Sequence, residues 1–153
     1  MRTLSKFLKF LRLAAVLGAG VLSSGAGHGA DKPIVIGFAI AESGWLHNYD
    51  AAPFRAAVMK IDEINKAGGL LGREVKYRVL DTKTERERSA SAGAELVQSG
   101  VDMLVVSCDY DFGAPAALAA QKAKIISMSL CAADPKMGVQ GVGNFAFTAN
   151  SAA

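Results

Sequence analysis

Asp109 and Asp111 stand two residues apart in the string Cys108-Asp109-Tyr110-Asp111-Phe112-Gly113, directly after an apolar run. Carboxylates so placed repel a ligand carboxylate and favour an ammonium, a hydroxyl-rich group or a cation. Glu42, after another apolar run, adds a third acid, and the three together are the oxygen donors a hard metal ion takes. Trp45 and Tyr49 lie in the segment Ala41 to Asp50. Aromatics on a loop give a small ligand an apolar wall with a polar edge. The alternative is that they seal the surface of the domain. His47 is in the same segment. No Gly-x-Ser-x-Gly elbow is present, and no His/Cys group has metal-ligand spacing. Gly68-Gly69-Leu70-Leu71-Gly72 follows a helical pattern and precedes a strand pattern, the reverse of a phosphate-binding loop. An acidic pair after the first strand, as a phospho-acceptor receiver domain would need, is missing as well. The expectation is a binding protein with no catalytic residue, no cofactor and no metal.

These residues sit in a chain of 153, one domain's worth of material. With 51% hydrophobic and 20% charged residues it is no disordered charged tail, and two cysteines do not make a disulfide-dense mini-protein. The formal charge of +3 is unevenly placed. Arg2, Lys6, Lys9 and Arg12 precede the apolar run Leu13 to Leu22, and Ser23 to Ala30 is small and polar. That order is a secretory signal peptide. The run is too short to cross a bilayer, which takes about 20 residues. A membrane anchor is the alternative. Cleavage after Ala26 leaves Ser24 and Ala26 at the two restrictive positions, whereas cleavage after Ala30 puts His28 at one of them. Without residues 1–30 the chain has 13 basic and 14 acidic residues, a net charge of −1. No basic stripe for nucleic acid remains. The expected location is the periplasm, where cysteines tend to be oxidised.

The elements that must position these side chains follow from the apolar pattern. Ile34 to Ile40 is a continuous apolar run, a buried strand. Asp50 to Lys66 has Phe54, Ala57, Val58, Ile61 and Ile64 at helical spacing, with Asp50 as cap and Pro53 in the first turn. Val75, Tyr77 and Val79 alternate with Lys76 and Arg78, a half-exposed strand suited to a sheet edge. Thr84 and Glu87 have capping-box spacing before a helix through Val97 that closes at Gly100. Met103 to Val106 is a third strand, Pro115 to Ala123 an alanine-rich helix, Ile125 to Ser129 a fourth strand and Phe145 to Thr148 a fifth. Asp111 is the expected cap of the third helix.

Strands alternating with helices predict an α/β fold: a three-layer parallel sheet in the order 2-1-3-4-5. Ligands of such sheets bind beyond the carboxyl ends of the strands, at the switch point between strands one and three. That singles out Ala41 to Asp50, Ser107 to Ala114 and Leu130 to Lys136. Cys108 and Cys131 fall at the ends of strands three and four, which are neighbours in this order. Adjacent strands lie about 4.8 Å apart and a disulfide spans Cα separations of roughly 4.4–6.8 Å. A Cys108–Cys131 bridge is therefore within reach; the alternative is two buried free thiols.

Ile34-Val35-Ile36-Gly37, Glu42-Ser43-Gly44 and the run from Ile64 through Asn65-Lys66-Ala67-Gly68-Gly69-Leu70-Leu71-Gly72-Arg73 resemble the periplasmic branched-chain amino-acid-binding proteins, the leucine-binding or type I periplasmic binding family. The Ile-Asn-x-x-Gly-Gly-x-x-Gly-Arg string is the most specific part. Asp81, Pro115-Ala116-Ala117 and the loop Ala132-Ala133-Asp134-Pro135 also fit. The resemblance implies a solute-binding component of an ABC importer, with two α/β lobes that close on an amino acid or related small polar ligand and deliver it to an inner-membrane permease. Residues 31–153 then form the N-terminal part of an incomplete first lobe, with the second lobe absent. Two other readings share the fold: a fragment of a ligand-sensing receptor ectodomain, and a nonfunctional truncated remnant.

The resemblance also implies site residues. Tyr49 corresponds to an aromatic that packs against the ligand side chain, and Tyr110 is nearest to a ligand-binding serine. Cys131, Ala132 and Ala133 stand where relatives carry Ala-x-Thr. Ligand-binding candidates are thus Tyr49, Trp45, Asp109, Tyr110, Asp111, Cys131 and Ala133. Asp109 and Asp111 replace the hydroxyl-rich carboxylate-binding segment, and the threonine hydroxyl is missing, so the pattern departs from a leucine site. Relatives bridge a cysteine near Cys108 to one after strand two; Thr82-Lys83 stands there, so that bridge cannot form.

Overall fold

The computed structural model describes residues 32–129, 131–132, 134–137 and 146–148. The leader expected in residues 1–30 and the candidate Ala133 fall outside these. The chain runs through β1 (Ile34–Ile40), α1 (His47–Lys66), β2 (Val75–Asp81), α2 (Arg86–Gln98), β3 (Met103–Val106), α3 (Tyr110–Ala123), β4 (Ile126–Ser129), a 3-10 turn (Pro135–Met137) and β5 (Ala146–Thr148). The five strands form one sheet in the order β2-β1-β3-β4-β5, and each adjacent pair is parallel. Among the described residues, no helix is long and apolar enough to cross a membrane.

Strand periodicity of two divides the core between the faces of the sheet. Phe38 and Ile40 of β1, with Val75 and Val105, bury against Ile61, Phe54, Ala57 and Ile64 of α1. Phe38 meets Phe54 and Tyr77 edge-on, with ring centroids 5.0 and 6.1 Å away. Ala39, Leu104 and Val106 point the other way, into Ala92 and Leu96 of α2 and Ala116, Ala117 and Ala120 of α3. Small residues let those two helices come close. A Cβ at Gly93 would lie 2.6 Å from the Cα of Ala116, so a side chain there would force α2 and α3 apart.

The amino-terminal end of the sheet is held by side chains that copy strand hydrogen bonds. The Asn65 amide donates to the Val75 carbonyl and accepts from the Val75 N–H, both at 2.8 Å. Arg73 Nε donates to the Lys32 carbonyl at 2.7 Å. Asp102 accepts from the Val35 N–H at 2.8 Å, while its own N–H reaches the Val35 carbonyl at 2.7 Å.

Three helix starts differ from the sequence expectation. α1 begins at His47, with Leu46 as an N-cap that makes no side-chain bond, so Asp50 is not its cap. Asp50 serves buried N–H groups at the strand ends, which have greater need of an acceptor than a solvated helix terminus has. Pro53 therefore lies in the second turn, not the first, and leaves the Tyr49 carbonyl without its N–H partner. The Thr84–Glu87 capping box does not form. Glu85 is the N-cap of α2, Thr84 takes a left-handed φ of 59°, and its hydroxyl donates to the Ser43 carbonyl instead. α3 starts at Tyr110, five residues before Pro115, and its cap is Asp109, not Asp111. The Asp109 carboxylate accepts from the Asp111 N–H at 2.8 Å, the second helical position that an N-cap oxygen reaches.

Candidate functional site

Ala39 lies opposite Val106, and Val106 opposite Ser129, so β1, β3 and β4 end at the same level. Their outgoing loops rise on one edge of the sheet. At the switch point between β1 and β3 the two chains diverge, and their next N–H groups lose strand partners. Asp50 supplies both acceptors: Oδ2 takes the Ala41 N–H at 2.8 Å and Oδ1 takes the Cys108 N–H at 2.9 Å. The residue is only 3% exposed. It fastens the start of α1 to the tops of two strands, and so fixes Leu46 and Tyr49 on the preceding turn.

Cys108, just past β3, and Cys131, just past β4, are joined in a disulfide with Cα atoms 4.8 Å apart. The Asp50 carboxylate and both sulfurs lie within 4.8 Å of one another. With the sulfurs bonded to each other, neither is a thiolate that would bind a metal ion. The Cys108 sulfur also lies 3.6 Å from the Tyr49 carbonyl that Pro53 leaves open.

Above these groups is a cleft of about 600 Å³, lined by Trp45, Leu46, Tyr49, Cys108, Asp109, Tyr110, Asp111, Cys131, Asp134 and Lys136. Trp45 is 57% and Tyr49 61% exposed, their rings set edge to face at 82° with centroids 6.3 Å apart. Trp45 is braced from behind by Phe112, edge-on at 5.7 Å. The α3 terminus also lines the cleft, through Tyr110 and Asp111. Its close approach to β3 depends on Gly113, where a Cβ would stand 2.5 Å from the Ser107 carbonyl oxygen. Asp111 pairs with Arg86 at 3.0 Å, and the Arg86 guanidinium lies over the Phe112 ring. The Lys136 ammonium lies over the Tyr110 ring, 5.8 Å from its centroid, and the Asp134 carboxylate accepts the Lys136 N–H.

Asp81, at the end of β2, holds the loop that carries Trp45. Its carboxylate accepts from the N–H groups of Glu42, Ser43 and Lys83 and from the Ser43 hydroxyl. Partial burial pushes its pKa up, but the bonds from Ser43, Lys83 and Glu42 outweigh that and hold the carboxyl below its ordinary value. Thr84 secures the far side of the same loop through Ser43 and Leu46.

The structure thus brings Trp45, Tyr49, Asp109, Tyr110, Asp111 and Cys131 around one cleft. Glu42 and His47 do not line it: the Glu42 N–H bonds Asp81, and His47 Nδ1 lies 3.3 Å from the Ala41 carbonyl. Sequence reasoning overlooked Leu46, Asp134 and Lys136 as lining residues, although the last two lie in the segment after the fourth strand that it singled out. It also overlooked Asp50 as a clamp and Phe112 and Arg86 as supports. The signal for Asp50 was an acid among the apolar positions of a helix flanking the switch point.

The sequence profile described as periplasmic binding protein matches residues 33–153. The chain belongs to the periplasmic binding protein family. Its members are solute-binding proteins. No curated protein matches the chain. Among solved structures, the branched-chain amino acid transporter substrate-binding protein LivJ from Streptococcus pneumoniae, in complex with isoleucine, is 32% identical with a TM-score of 0.69. The match covers 78% of this chain and 34% of that one. A putative branched-chain amino acid ABC transporter protein from Rhodospirillum rubrum is 19% identical over 78% of this chain and 34% of its own, TM-score 0.65. A solute-binding protein of an ABC transporter from Rhodopseudomonas palustris, in complex with 3,4-dihydroxybenzoic acid, is 15% identical over 76% and 31%, TM-score 0.64. The last two share the fold. The chain spans about a third of the length of these structures. The sheet corresponds to a type I periplasmic binding lobe. The family string from Ile64 to Arg73 lies at the opposite end of the sheet from the cleft, and its Asn65 and Arg73 pin backbone, so the most recognisable motif is architectural.

Proposed function

We propose that this chain is the solute-binding component of an ABC importer, carried to the periplasm by residues 1–30. It captures an amino acid or related small polar solute for delivery to a membrane permease. One observation carries the reading: in a chain of this family, the cleft stands beyond the carboxyl ends of β1, β3 and β4, at the switch point where such sheets take their ligands.

Trp45 and Tyr49 form the apolar wall, and Tyr110 lines the same cleft. Asp109 and Asp111 supply negative charge, and Cys131 lines the cleft as one half of the disulfide. Asp50 and Asp81 position without touching solute, by fixing the loops that carry the walls. A second α/β lobe closes over the cleft and excludes water, as capture between lobes requires. Residues 31–153 are the N-terminal part of the first lobe.

Thermal unfolding in the presence of a panel of amino acids, small amides and amines tests the proposal. A solute at a hundred times its Kd is expected to stabilise the protein by about 2.7 kcal/mol. A panel that leaves Tm unmoved for the exported native product counts against solute capture.

A further inference from the structure

In an α/β sheet of this kind the amino terminus of a helix at the switch point is the natural seat of a ligand anion, because free N–H groups and the helix dipole point there. At α3 that seat is already taken. The Asp109 carboxylate bonds the Asp111 N–H at 2.8 Å, so a resident anion occupies the helix end. Asp111 follows in the first turn and Asp134 lines the cleft beside them. Among the described residues that line the cleft, Lys136 is the one that is basic, and Arg86 offsets Asp111 from outside the cleft. A ligand carboxylate entering here meets like charge and finds the Asp111 N–H of the helix end already bonded.

The aromatic residues point to the same preference. Trp45 and Tyr49 present exposed rings at nearly right angles, and Tyr110 lines the same cleft. Ring faces attract a cation through their quadrupole, and two or three rings around carboxylates make a cage for an ammonium group. The cleft already shows this behaviour on its own lysine: the Lys136 ammonium rests over Tyr110. From the occupied helix end, the excess of acids and the crossed rings, we infer that the cleft selects a solute that presents an ammonium or quaternary ammonium group and carries no free carboxylate. The inference rests on the solute-capture reading above and narrows its ligand class.

Trp45 is the sole tryptophan of the chain and stands in the wall, so its emission reports occupancy directly. The experiment titrates the oxidised chain with choline and putrescine as cation probes, and with L-leucine and benzoate as carboxylate-bearing controls. At least one cation is expected to shift Trp45 emission saturably, with affinity about tenfold or more above either control, as attraction to unpaired carboxylates predicts. Asp109→Asn keeps the cap, since asparagine caps as well as aspartate. It is expected to weaken the cation about tenfold and to strengthen leucine. Tighter binding of leucine or benzoate than of both cations overturns the inference while solute capture stands. Cation binding unaffected by Asp109→Asn overturns it too, because the acid would then take no part. No response to any probe overturns the ligand class, a result distinct from a reversed preference, and the thermal-unfolding panel on the exported native product then decides whether solute capture falls with it.

Discussion

Asp50 illustrates how much one buried carboxylate decides. Both of its oxygens are spent on the Ala41 and Cys108 N–H groups. Asp50→Ala leaves two buried donors unsatisfied at roughly 1–3 kcal/mol each, so a loss of about 2–6 kcal/mol is expected in urea unfolding. Asp50→Asn keeps one acceptor oxygen and should fall between the two. Asp81 acts on the same loop from the other side, and its effect depends on pH. Its bonds favour the ionised form and lower its pKa from 3.8. The stability it contributes is fully present above that ordinary value and is lost as pH falls through the lower folded value. Trp45 emission should therefore report loosening of the loop only in acid below 3.8, whereas Asp81→Asn should loosen it at neutral pH. An unchanged emission profile in Asp81→Asn would show that Asp50 and Thr84 hold the loop without it.

At the scale of elements, the sheet edge that bears the cleft is assembled from three loops, and the disulfide ties two of them. It links the ends of β3 and β4 across a sequence separation of 23 residues. Closing a loop of that length in the unfolded chain is worth about 3 kcal/mol in the chain-entropy account. The double variant Cys108→Ser, Cys131→Ser should lose about that much stability, and dithiothreitol should reproduce the effect on the unaltered chain. Strand order was legible because β2 alternates polar and apolar residues while β1 and β3 are continuous apolar runs, which separates an edge strand from central ones. Helix starts were less legible. Asp50, Thr84 and Asp111 each have the right type for a cap, but Asp50 is claimed by Cys108 as well as by nearby Ala41, and Thr84 by Ser43, and both Cys108 and Ser43 belong to loops distant in sequence. In α3 the capping role falls to Asp109, two residues earlier.

For the whole molecule, the placement of charge bears on the proposed export. The basic excess lies in residues 1–30, and the remainder is nearly neutral at −1. The exported product is expected to begin at Gly27 if cleavage follows Ala26 or at Asp31 if it follows Ala30, which N-terminal sequencing of the periplasmic fraction checks; a first residue of Met1 would argue for retention as an anchor. The sequence by itself determined the α/β class, the parallel order of the strands and the three segments that meet at the cleft. Apolar periodicity and the right-handed crossover rule leave few alternatives once the strands are known. The tertiary structure alone decided which acid does what. Asp50 became a clamp, Asp109 a cap, Asp111 the partner of Arg86, and Asp134 and Lys136 joined the wall. Those roles depend on which unpaired N–H or charge each carboxylate meets in space, and residue type and spacing along the chain do not encode that encounter.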